Sequence, residues 1–208
     1  MQQTMEYTRQ AQYNIATQHL ENSMSYEVYM DLMERLVKDG KSSAQVQSEG
    51  MSNYTKLNFS RMKRIAKTLQ IPEYIQQAFR SKNPSLTWLV ITESWCGDAA
   101  QSMPVMKLLA DLAASIDLRV ILRDEYPELM DAFLYKDTRS IPVLIALDKE
   151  QEQILGVWGP RPSTANDMVA AYKAEHGGLT AEFKKDLQVW YNKDKGQTIL
   201  EDLNALIK

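Results

Sequence analysis

Apolar residues fall into two textures along this chain. Up to about residue 80 they recur every three or four positions among polar ones, and from Leu86 they condense into short continuous runs separated by helical patterns. In the first texture, Val28, Leu32 and Leu36 form one row and Tyr29, Met33 and Val37 the next. This predicts an amphipathic helix over 24–37, with Ser25 as N-cap and Gly40 as stop. The polar stretch 41–53 reads as a loop or short helix. A second helix follows over 58–69, with Met62, Ile65 and Leu69 on one side, and Pro72 opens a third running to Phe79.

The second texture begins with the buried-strand run Leu86–Thr92. A helix over 97–114, a strand over 118–122, a helix over 127–134 and a strand over 142–147 come next. A turn at 148–152 is short enough to make the strand over 153–158 an antiparallel hairpin partner. Helices over 163–175, 180–192 and 198–207 complete the chain. This order predicts an α/β fold, a mixed β-sheet flanked by helices, with an N-terminal helical extension (1–84), a sheet domain (85–176) and a C-terminal helical segment (177–208).

Composition narrows the function classes. The 208 residues are 44% apolar and 25% charged, an ordinary globular balance. A net charge of -3 provides no overall pull toward nucleic acid. The basic cluster Arg61, Lys63, Arg64 and Lys67 reads as a solvated helix face, and the methionine-rich helices as packing material. The start, 1–7, is polar and lacks the pattern of a secretory leader, and no run approaches the length of a membrane span. A cytoplasmic location is expected, and one cysteine excludes an internal disulfide. His19 and His176 lie far from Cys96 and from each other, so no metal site is expected. Asp124 and Glu125 read as an acidic turn.

The main chemical signal is Glu93-Ser94-Trp95-Cys96-Gly97-Asp98-Ala99, set between a buried strand and a helix. A thiol at a helix N-terminus faces unpaired N–H groups and the positive end of the helix dipole, which favour the nucleophilic thiolate. Asp98 acts in the opposite direction, since a nearby carboxylate disfavours a second negative charge.

Trp95-Cys96-Gly97 resembles the start of the thioredoxin family's Trp-Cys-Gly-Pro-Cys motif. Pro104 sits where that family places a proline in the following helix, and Ser140-Ile141-Pro142 resembles its cis-proline loop. The resemblance covers about 86–175. It departs at three places: Asp98 replaces the motif proline, Ala99 the second cysteine, and Val90 the buried aspartate. The resemblance implies a substrate groove formed by Trp95, Gly97 and Asp98, by Ile141 and Pro142, and by the turn containing Gly159, with Cys96 as the reacting group. Arg139 and Arg161 are candidates to steady a thiolate or hold a carboxylate.

Two functions follow as expectations, the first leading and the second its rival. One is monothiol exchange through Cys96, with protein thiols or a low-molecular-weight thiol as partners and no cofactor, because Ala99 cannot resolve a mixed disulfide. The other is a non-catalytic thioredoxin-fold module that binds a protein. Glutaredoxin-like chemistry with a cluster or glutathione ranks below both, because the motif is closer to that of thioredoxin.

Overall fold

The computed structural model describes residues 7–82 and 84–207. The reading of the start as lacking a leader rests mainly on residues 1–6, which lie outside that range, as does Asn83 in the break before the first long strand. The sheet has five strands: β1 (Met24–Ser25), β2 (Leu86–Thr92), β3 (Ile116–Leu122), β4 (Val143–Asp148) and β5 (Gln153–Trp158), in the order β1-β3-β2-β4-β5. Central β2 runs parallel to β3 and antiparallel to β4. All seven of its residues are buried, which explains why both its faces are apolar. The 153–158 hairpin forms as the spacing predicts.

The helices are α1 (Arg9–Gln18), α2 (Tyr26–Lys38), α3 (Glu49–Thr68), α4 (Glu73–Lys82), α5 (Gly97–Leu112), α6 (Pro127–Asp131), α7 (Ser163–His176), α8 (Ala181–Asp194) and α9 (Gln197–Leu206). Among the described residues, no helix is long and apolar enough to cross a membrane. Ser25 caps α2 as expected, its side chain accepting from the Val28 N–H. Met24, however, belongs to the edge of the sheet and not to that helix, pairing with Val120 of β3. Arg119 tightens this junction by donating to the Ser23 hydroxyl at 3.0 Å and to the Ser23 carbonyl at 2.5 Å.

The sequence reading misses α1 altogether and starts α3 late, since that helix begins at Glu49 rather than near residue 58. Ser48 caps it, and its inward residues there include Thr55 and Asn58, both buried. A helix that buries polar side chains shows a weak apolar period, so the stretch to 53 reads as a loop or short helix and the long helix is read only from 58. One contiguous core joins the two ends of the chain to the sheet: Tyr13, Ala16, Tyr29 and Met33 from the N-terminal elements, and Phe183, Leu187, Ile199 and Leu203 from α8 and α9.

Candidate functional site

Cys96 occupies the N-cap of α5, where β2 leads into the helix. Its Sγ accepts from the Ala99 N–H at 3.4 Å, the helix-terminus contact expected from its place in the chain. It also donates to the Ile141 carbonyl at 3.3 Å. The residue is only 7% exposed. Burial, then the Asp98 charge, pushes the thiol up to about 12, while the N–H groups of Ala99 and Asp98 and the charge of Arg161 pull weakly the other way. In the competition left open by the motif, desolvation outweighs the helix terminus and favours the protonated form.

The Ile141–Pro142 peptide is cis, and both residues are buried. The Ile141 carbonyl, which the resemblance would leave for an extended peptide, is here engaged by the Cys96 thiol. Gly159 faces the same loop with φ 133°, and a Cβ there would collide with the Pro142 carbonyl oxygen. Only glycine supplies both that backbone and that closeness. Val90 is fully buried in β2, paired with Val120 and Leu144, and contributes packing where the resemblance would place an acid.

The two arginines part company. Arg161 forms an ion pair with Asp98 at 2.7 Å, both side chains largely shielded from water. Asp98 also accepts from the Tyr191 hydroxyl at 2.9 Å, which brings α8 over the start of α5. Burial raises the Asp98 carboxyl above its ordinary value, offset by Arg161 and Tyr191. Arg139 instead makes a two-pronged pair with Asp131 at 2.6 and 2.7 Å on the exposed surface, so the sequence assignment of Arg139 to the thiol site gives way to a local surface pair. Trp95 is half-buried, with the Arg123 guanidinium 4.9 Å from its ring centre. Gly97 has Arg61 as its neighbour, at ordinary contact distance from where a Cβ would lie.

Three groups escaped the sequence reading. Glu93 is buried and accepts from the Ser43 hydroxyl and from the Asp124 N–H, the latter at 2.9 Å. Burial raises its carboxyl to about 7 despite those two bonds. Ser94 exchanges hydrogen bonds with Ser43, donating its N–H to the Ser43 hydroxyl at 2.9 Å and accepting the Ser43 N–H at 2.8 Å. It is also held by Thr55 and Asn58 of α3. Tyr191 is the third. Glu93 and Ser94 stand inside the motif, and a carboxylate closing a buried strand is itself a signal; nothing in the pattern of α8 singles out Tyr191.

A protein-family model described as thioredoxin matches residues 44–173, from the loop beside the site through most of α7. No curated protein matches the chain. Among solved structures, the chain is similar to a crystal structure of an HIV epitope-scaffold, at 18% identity and a TM-score of 0.55, covering 88% of this chain and 98% of that one. It is also similar to a protein of unknown function from Pseudomonas aeruginosa, at 18% identity and a TM-score of 0.54, covering 88% and 97%. At that identity the likeness is one of fold.

Proposed function

Because the chain belongs to the thioredoxin family, the question is what it does with a single motif cysteine, and we propose that it serves as a thioredoxin-fold binding module whose Cys96 is a protonated, structural thiol. The observation that carries this reading is the hydrogen bond from Cys96 to the Ile141 carbonyl at 3.3 Å in a site nearly closed to solvent. Ionising the sulfur would remove that donor and leave a negative atom facing a carbonyl oxygen, in surroundings that already disfavour charge. The partner in this reading is a protein. Exposed Val46, Tyr54 and Leu57 lie on the loop and helix whose neighbouring side chains bond the motif, and they offer it apolar contact area.

A second reading, monothiol exchange, is favoured by the Ala99 N–H at Sγ, a contact that stabilises a thiolate. In it the Cys96 thiolate attacks a partner disulfide, forming a mixed disulfide and releasing the partner's other thiolate, and an external thiol then displaces Cys96.

Alkylation of Cys96 across pH, in native and unfolded protein, separates the two. The binding reading expects native Cys96 to react far more slowly than the unfolded chain, with no titration near the ordinary thiol value of about 8.5. Fast native alkylation that titrates below that value overturns it in favour of exchange.

A further inference from the structure

Residues of α3, α5 and the α8–α9 turn border an open cavity of ≈ 440 Å³. That is within the size range of small-molecule sites. Ile65, Leu69 and Ile199 supply apolar walls, and no carboxylate lines it. Two cations do. Arg64 makes one side-chain hydrogen bond, to Asn192 Oδ1 at 3.2 Å. Neither Arg64 nor Lys195 forms an ion pair among the described residues. The positive field there is felt one turn earlier on α3, where Arg61 is held below its ordinary value first by burial and then by the Arg64 charge.

The turn that brings Lys195 to the cavity is fixed by backbone geometry. Lys195 and Gly196 both have left-handed conformations, φ 53° and 79°. A Cβ on Gly196 would lie 3.0 Å from Leu69 Cδ1, so the turn sits directly on α3. Gln70 and Gln197 amides add polar groups at the rim. Two unneutralised cations over apolar walls match a ligand with one charged end and one apolar end.

We propose that this cavity binds a small organic carboxylate with a short apolar body, its charge received by Arg64 and Lys195 and its body by the half-buried Ile65 and Leu69. With a net charge of -3 the molecule as a whole does not draw anions, so the attraction comes from the cations at the cavity itself.

The test is NMR titration of the ¹⁵N-labelled full chain with octanoate, and in parallel with octanol. Saturable shifts at the Thr68, Gln70 and Gln197 amides with octanoate, much weaker ones with octanol, and an affinity about tenfold lower in an Arg64→Ala, Lys195→Asn double variant are expected. Asn tolerates the left-handed position, and both native side chains are exposed, so the variant removes no core contact. Absence of saturable shifts in the millimolar range, equal binding of octanol, or unchanged affinity in the double variant overturns the proposal.

Discussion

Glu93 and Cys96 stand three residues apart, both buried and both shifted toward their neutral forms, yet their surroundings treat them differently. Glu93 meets the Ser43 hydroxyl and the Asp124 N–H, with the Asp124 and Arg123 charges opposing one another, and is raised from 4.5 to about 7. Cys96 meets the N–H groups of Ala99 and Asp98 and the more distant charge of Arg161, against a carboxylate of the wrong sign, and rises to about 12. Measured from their ordinary values of 4.5 and 9.0 the two rises are similar and burial leads both; what differs is where they end, one near neutrality and the other far above it. In a family built around a titrating thiol, the group here that changes charge near neutral pH is the carboxylate.

Removing Asp98 should break the comparison from the cysteine side with the largest effect. Asp98→Asn leaves Arg161 shielded and without its carboxylate, a loss of about 4 kcal/mol, read as a lower denaturant midpoint. The same variant should lower the Cys96 pKa, because Asp98 is its second-largest upward influence. An unchanged midpoint would mean the 2.7 Å pair is not what holds α5 to the turn after β5.

Next in size is the pH dependence of stability. The Glu93 carboxyl is raised from 4.5 to about 7 on folding, so between those values the folded chain keeps a proton that the unfolded chain has released. Stability should therefore be full below pH 4.5 and fall as pH rises through the folded pKa, by about 3 kcal/mol in all. Urea unfolding at several pH values measures this, and Glu93→Gln should flatten that part of the curve. A native slope unchanged in the variant would assign it to other groups.

Ser43→Ala sharpens the carboxylate side. Loss of its bond to a buried carboxylate costs about 2 kcal/mol at pH 8 and moves the Glu93 pKa further up, since that bond lowers it. Carbon-13 NMR of the glutamate carboxyls gives the shift directly. The smallest effect belongs to Arg139→Ala: its exposed pair with Asp131 contributes less than about 1 kcal/mol, and Cys96 alkylation should be unchanged. A marked change in alkylation would return Arg139 to the thiol site.

These contrasts also show what the residue pattern could carry. The long strands, the hairpin and the strand-to-helix placement of Cys96 were legible because apolar period and turn spacing encode them locally. α1 and the first half of α3 were not, because α1 buries only Tyr13 and Ala16, and α3 buries Thr55 and Asn58 against a backbone far along the chain. At the site, the motif and its order group Cys96, Ile141, Pro142, Gly159, Asp98 and Arg161, and the fold places these residues in contact. Tyr191 and Ser43 were not, because their roles come from tertiary contacts spanning 93 and 50 positions. The sign of Asp98's influence on the thiol was legible; the extent of burial, which dominates it, was not.

The docking of α9 has a consequence for how the molecule is made. Ile199, Leu200 and Leu203 are fully buried, and Asp202 accepts from the Trp158 indole N–H at 3.0 Å and from the Ser163 N–H and hydroxyl, both at 2.8 Å. Synthesis proceeds from the N-terminus, so every strand has left the ribosome before this helix exists, and at about 5–20 residues per second the interval from β5 to α9 lasts seconds. Throughout that interval the nascent sheet holds an uncovered apolar face, which α9 then closes.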